Sequence, residues 1–266
     1  MFQSFVFEEA SSIITAITVI TFLFLAYLGA SEIAGKHLQY SKFWNVNANS
    51  GSSSSNFLQG KMSSKLGMLI LYAPACVMGF ASFFMYPDGG TRFMLLKSAV
   101  TIHFFKRVLE VLFVHKYSGG MILGSVLLIS SSYFMLAAVM IYIQHLTLQY
   151  TEPEIDLKSI GVLIFLVGIS GNFYHHYLLS KLRGSKEKGY KIPQGGLFSM
   201  VICPHYLFEI LGFVGISFIS QTSFSFCCAV GVALYLSARS NVTRKWYLSK
   251  FENFPKNVKA LIPFVF

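Results

Sequence analysis

Three groups of ionisable side chains sit where the surrounding sequence is almost wholly apolar. His103, Lys106, Arg107 and Glu110 are offset by 0, +3, +4 and +7, the spacing that puts all four on one face of a helix. Two cations against one carboxylate leave positive charge over, which suits a phosphate or an oxyanion developing on a substrate. The plainer reading is an internal ion pair whose stems run along apolar neighbours. Asn172, His175, His176, Leu179 and Arg183 form a second stripe, for which the plain reading is interhelical hydrogen bonding followed by a basic anchor. His205 and Glu209, one turn apart with Tyr206 beside them, form the third, and a buried His–Glu pair is the plain reading there. Just ahead of it runs the basic, glycine-containing loop Tyr190-Lys191-Ile192-Pro193-Gln194-Gly195-Gly196-Leu197-Phe198, a segment suited to holding an anionic ligand.

Such groups cost about 2.5–3.5 kcal/mol each at the centre of a membrane helix, so they face a cavity or a partner. Adjacent His175 and His176 point different ways on a helix, and the seven histidines form no H-x-x-x-H box, so no metal site is expected. Cys76, Cys203, Cys227 and Cys228 lack metal-ligand spacing and read as small core residues. Neither a G-x-G-x-x-G fingerprint nor a P-loop occurs, so a polyanion held here would not sit on a Rossmann or P-loop fold.

The elements that must carry these residues are membrane helices. The chain is 54% hydrophobic and only 12% charged, with a mean hydropathy of +0.59, too apolar for an ordinary soluble domain. Seven apolar segments, at 10–30, 66–86, 93–114, 121–144, 158–180, 197–219 and 223–240, approach the roughly 20 residues that cross a bilayer, and are too long for barrel strands. The first follows Glu8 and Glu9 without a positive leader region and is expected to be retained. Lys36, Lys61, Lys65, Lys116, Lys181, Arg183, Lys186, Lys188, Lys191, Arg244 and Lys245 fall in the loops after spans one, three and five or in the C-terminal tail. Little beyond Arg92 and Lys158 falls on the opposite side. The positive-inside rule then puts the N-terminus in the lumen or outside and the C-terminus in the cytosol. The same rule explains the net charge of +10 without nucleic acid. The expectation is an all-α polytopic membrane protein of seven helices, with a flexible cytosolic loop at about 45–60 rich in Asn and Ser.

The chemistry-bearing segments also resemble a known family, the steroid 5α-reductases (3-oxo-5α-steroid 4-dehydrogenases), whose relatives include polyprenol reductase and very-long-chain trans-2-enoyl-CoA reductase. The Tyr190–Phe198 loop, Arg239 with Tyr247, and the ending Lys259-Ala260-Leu261-Ile262-Pro263-Phe264 look like the steroid branch. His103-Phe104-Phe105-Lys106-Arg107-Val108-Leu109-Glu110 continuing to Phe113-Val114-His115-Lys116-Tyr117-Ser118, Gly171-Asn172-Phe173 with His176, Leu179, Leu182 and Arg183, and Cys203-Pro204-His205-Tyr206 with Glu209 look like the enoyl-CoA branch. The resemblance implies a two-helix N-terminal region, 1–92, and an NADPH-binding membrane domain, 93–266, in the endoplasmic reticulum. It further implies that Asn172, His176, Arg183, Tyr190, Lys191, His205, Glu209, Arg239 and Tyr247 contact NADPH.

Lys191 stands where the family has arginine, and His176 where the steroid branch has aspartate. The steroid branch polarises its ketone with a glutamate in Gln-Glu-x-Pro and a tyrosine one span later. Here those positions read Leu71-Tyr72-Ala73-Pro74 and Phe104. The expected activity is reduction of a C=C bond conjugated to a carbonyl in a lipid, a steroid or an enoyl-CoA. Tyr72 is the expected proton donor, with Lys106 and Arg107 in electrostatic support and Glu110 holding them. Two alternatives are an S-adenosylmethionine-dependent isoprenylcysteine methyltransferase, whose paired glutamates are missing after Glu209, and a non-catalytic lipid-binding relative.

Overall fold

A computed structural model describes residues 4–7, 11–40, 43, 57–117, 119–182 and 190–266. Arg183, Lys186 and Lys188, Glu8 and Glu9, and residues 45–56 of the expected loop lie outside them. Seven α-helices occur among the described residues: α1 (Ser12–Ile33), α2 (Ser64–Met85), α3 (Thr91–Leu109), α4 (Leu123–Leu146), α5 (Lys158–Lys181), α6 (Pro204–Ser220) and α7 (Ser223–Lys250). Two three-residue strands, β1 (Lys61–Ser63) and β2 (Gly120–Ile122), pair antiparallel between the feet of α2 and α4. Of the α-helices, α1, α2, α4, α5 and α7 are long and apolar enough to cross a membrane. The α6 helix is apolar but only 17 residues long, and α3 carries Arg92, Lys97, Lys106 and Arg107.

Two boundaries differ from the hydropathy reading. The sixth apolar run is broken, because Gly195 and Gly196 take φ of 83° and 53° into a short 3-10 turn, Gly196–Ser199, and the helix begins only at Pro204. The seventh helix runs ten residues beyond its expected end at 240, because Thr243 and Tyr247 extend its buried face after hydropathy has fallen. Ser11, Ser63 and Thr222 cap α1, α2 and α7 with their side chains.

Packing explains how a break inside one helix is tolerated. Pro74 lacks the N–H that would bond the carbonyl of Ile70, and Ser130 Oγ on α4 donates to that oxygen at 2.8 Å instead. The α5–α6 pair comes together through glycine: a Cβ on Gly168 would lie 2.4 Å from the backbone N of Gly212, and one on Gly215 would lie 2.4 Å from that of Phe165. Only backbones this close bring Asn172 and His176 within reach of His205 and Glu209.

Both ends of the bundle are tied by polar groups. At one end the buried Arg92 binds Glu152, Asp156 (3.0 Å), the Ile219 carbonyl (2.8 Å) and Gln221 Oε1 (2.7 Å). Gln221 itself donates to the Phe5 and Ile155 carbonyls, so the N-terminal segment, the α4–α5 loop and the α6–α7 turn share one knot. At the other end the C-terminal tail lies beside residues 200–203, with Lys259 N donating to Met200 O and Ile202 N to Lys259 O.

Candidate functional site

The α3 helix leads into a π turn at Glu110–Val114, and that turn shapes the site. Widening to i→i+5 lets His115 N bond to Glu110 O and brings His115 Nε2 to 4.0 Å from Glu110 Oε2. One turn earlier, Arg107 Nη1 donates to Glu110 Oε2 at 2.6 Å and lies 2.8 Å from His176 Nδ1 of α5. Its Nη2 donates to the Tyr72 hydroxyl oxygen of α2 at 2.5 Å. Lys106 pairs with Glu110 Oε1 at 3.1 Å and donates to Asn172 Oδ1, while Asn172 Nδ2 donates to the His205 carbonyl at 2.7 Å and reaches Glu209 at 3.5 Å. Tyr72, Lys106, Arg107, Glu110, Asn172, His176, His205 and Glu209 therefore form one connected group from four helices and the π turn.

Two neighbours of that group do something else. His103 packs its ring 5.0 Å from Phe213 and makes no side-chain hydrogen bond among the described residues, although its spacing put it with Lys106 and Arg107. His175 turns away from His176: its Nδ1 donates to the Gly171 carbonyl, leaving Nε2 to accept from Leu197 N, which fixes the 3-10 turn ahead of α6.

Arg239 is the principal surprise. It is buried, donates to both oxygens of Glu32 at 2.8 and 2.7 Å, and lies over the rings of Tyr40 and Phe43. His37 Nδ1 and Leu38 N also reach that carboxylate. The cation expected to contact NADPH is thus matched by a glutamate at the end of α1. Tyr247 donates to the Lys191 carbonyl at 3.5 Å, packs among Trp246, Phe251 and Phe254, and lines the same cavity as Tyr190, Lys191 and Arg239.

Two cavities meet at this group. The first, about 270 Å³, is lined by polar side chains including Arg107, Lys116, Tyr117, His176, Lys191 and Arg239. The second, about 300 Å³, is nearly all apolar and runs out between α1 and α4 past Ile20, Phe24, Leu128 and Met135. Tyr40, Met68, Tyr72, Tyr133, Glu209 and Tyr235 are among the residues lining both. Inside the polar cavity the hydroxyl of Tyr117 and the Nε of Arg107 are buried and have no hydrogen-bond partner among the described residues. Buried donors of this kind are costly unless a ligand or water meets them, so the residues fit an oxygen-rich ligand.

Burial, and next the Arg107 charge, push the His115 imidazole down to about 4, so it is neutral at physiological pH. Ligand atoms of Glu110, His115 and His176 all lie within 4.8 Å of one another, a set of metal-ligating types. Arg107 Nη1 touches two of the three, however, so these acceptors already share a cation, and a dication placed there would face the guanidinium.

Glu32, Tyr40 and Tyr133 are site residues that the sequence did not single out, and His115 and Tyr117 stood in the enoyl-CoA-like run without an assigned role. Of the first three, only Glu32 carried a signal, as a lone carboxylate at the end of an apolar run. His115 needed a π turn that no spacing rule anticipates.

A family model described as 3-oxo-5-alpha-steroid 4-dehydrogenase matches residues 121–266. The very-long-chain enoyl-CoA reductase of Dictyostelium discoideum is 32% identical over 168 residues, 62% of this chain and 55% of that protein. Steroid 5-alpha-reductase DET2 of Gossypium hirsutum is 39% identical over 107 residues, 40% of this chain and 42% of that protein. Human 3-oxo-5-alpha-steroid 4-dehydrogenase 2 is 37% identical over 108 residues, 41% of this chain and 42% of that protein. The chain spans about half the length of the curated relatives it matches. The matched region holds α4 to α7 and the C-terminal tail, and with them His176, His205, Glu209 and Arg239, so by more than half of its length this chain belongs to the 3-oxo-5-alpha-steroid 4-dehydrogenase family.

Proposed function

We propose that this chain reduces a C=C bond conjugated to a carbonyl in an apolar lipid, with NADPH in the polar cavity and the lipid in the apolar one. The observation that carries this reading is the shared wall, where Tyr72 and Glu209 border both cavities. A two-substrate reaction between a charged cofactor and a membrane lipid calls for such a junction. The proposed setting is the endoplasmic reticulum membrane, crossed seven times with the N-terminus lumenal, with 1–92 and 93–266 as its two regions.

When bound, the reduced nicotinamide supplies hydride to the β carbon. Negative charge then moves to the carbonyl oxygen, and a proton is taken up at the α carbon, which completes the saturated ketone or thioester. Tyr72 is the proposed donor to that oxygen: its own oxygen accepts from Arg107, which leaves its proton to give. Lys106 and Arg107 stabilise the developing charge, and Glu110 positions both by pairing with each. The proposed cofactor contacts are Asn172, His176, Arg183, Tyr190, Lys191, His205, Glu209, Arg239 and Tyr247. Of these, Arg239 enters as a cation already balanced by Glu32, and Lys191 lines the same polar cavity, as does Lys116.

The test is NADPH oxidation by the purified chain with a 3-oxo-Δ4-steroid and, separately, with a long-chain trans-2-enoyl-CoA. Turnover of one identifies the substrate branch, and turnover of neither removes the reductase reading. Tyr72→Phe is expected to lower kcat by about 100-fold, the usual loss of one preorganised oxyanion donor. Full activity in that variant would dismiss Tyr72 as the donor.

A further inference from the structure

Four phenols border both cavities, and three of them already have partners. Tyr72 accepts from Arg107, and the hydroxyls of Tyr40 and Tyr235 pair with each other at 3.1 Å. The fourth is Tyr133, from α4, whose hydroxyl makes no hydrogen bond among the described residues. Its ring is nevertheless fixed. It stacks on Tyr72 with centroids 5.6 Å apart and planes 14° apart, and lies 5.7 Å from the buried ring of Phe104. A hydroxyl held at the mouth of an apolar chamber without a protein partner is an unmet donor, and a ligand oxygen reaching that wall would meet it.

We propose that Tyr133 is a second carbonyl-recognising residue, its hydroxyl and that of Tyr72 donating together to one ligand oxygen at the junction of the two cavities. A carbonyl oxygen has two lone pairs and accepts two such bonds. Tyr72 and Tyr133 come from different helices, their rings are stacked, and each lines both cavities, so two phenols border the junction before any ligand arrives. The inference rests on the reading of the apolar cavity as the lipid site. It adds that a carbonyl, and not chain length or ring shape alone, is what this wall selects.

The test uses the full chain in detergent without cofactor, so that it does not depend on turnover. Binding is measured for a 3-oxo-Δ4-steroid against its 3-deoxy counterpart, and for a long-chain trans-2-enone against the hydrocarbon of the same length. The wild type is expected to prefer the carbonyl compound in at least one pair. Tyr133→Phe, which keeps the ring and its stacking, is expected to lose about tenfold of that preference while binding the hydrocarbon as before, the scale of one hydrogen bond to a neutral group. An unchanged preference in Tyr133→Phe would overturn the proposal, as would an equal loss for both members of a pair or a wild type with no preference in either. A chain that shows the preference but never oxidises NADPH would count against the proposed reaction and leave Tyr133 in its role.

Discussion

Glu110 and Glu32 show at the residue scale how a few carboxylates govern many cations. Glu110 is shared by Lys106 and Arg107, while Glu32 holds Arg239 with both oxygens. Removing one partner of such a pair leaves a buried charge unmatched, so Glu32→Ala is expected to destabilise the chain by about 3–5 kcal/mol. Thermal unfolding in detergent measures this directly, and an unaltered midpoint would mean that Arg239 is screened by water and not by Glu32. His115 leads to a different expectation. Because burial and the Arg107 charge push it down to about 4, it stays neutral from pH 5 to 8. His115→Gln should therefore leave the shape of any activity–pH profile in that window unchanged, whatever it does to the rate. An inflection near pH 6.5 that vanishes in the variant would show that His115 titrates as an ordinary imidazole.

Helix α5 is placed by glycine at the scale of elements. A Cβ on Gly168 would meet the Gly212 N at 2.4 Å and the Phe208 O at 2.9 Å, and neither backbone atom can swing aside. A Cβ on Gly212 meets nothing within 4 Å. The two glycines face the same crossing, yet they predict opposite outcomes. Gly168→Ala should destabilise by about 1–3 kcal/mol, the range for overpacking, and should separate Asn172 from His205. Gly212→Ala should be neutral or stabilising, by up to about 1 kcal/mol from helix propensity. Comparing the two melting temperatures checks this, and equal losses would show that the crossing is not set by backbone contact. The π turn after α3 works on the same scale, since without it His115 would point away from Glu110.

The whole molecule is held at its Arg92 end by a clasp that responds to acid. Glu152 and Asp156 are about half exposed; burial is the largest single influence and raises both, but hydrogen bonds and charge from Arg92 and Lys158 together outweigh it and hold both below the usual carboxylate range. A carboxyl depressed in the folded state contributes fully above its unfolded value and loses that contribution as pH falls through the folded one. Stability is therefore expected to be level from pH 8 to about 5 and to decline below about 4. The Glu152→Gln, Asp156→Asn double variant should lose most of that acid dependence in a melting series across pH. If its dependence matches the wild type, the acid response belongs to other carboxylates. The clasp joins the N-terminal segment, the α4–α5 loop and the α6–α7 turn, so loosening it would act on α6, and through α6 on the candidate site.

Much of the polar site was legible in the order of residues. Hydropathy located the apolar helices, and helical spacing put Lys106, Arg107 and Glu110 on one face and Asn172 and His176 on another, because a 3.6-residue period is a local property of the chain. Motif resemblance joined those faces to Tyr190, Lys191, His205 and Arg239, because a family preserves residue types around a shared site. What spacing could not supply was any relation between elements. That Arg239 is neutralised by Glu32, that Gly168 admits no side chain while Gly212 does, that His115 turns inward on a π turn, and that Tyr133 stacks on Tyr72 at the meeting of two cavities were decided by packing. Each depends on atoms distant in sequence, or on a break in helical period, and becomes defined only when α1 lies on α7, α4 on α2, and α5 on α6.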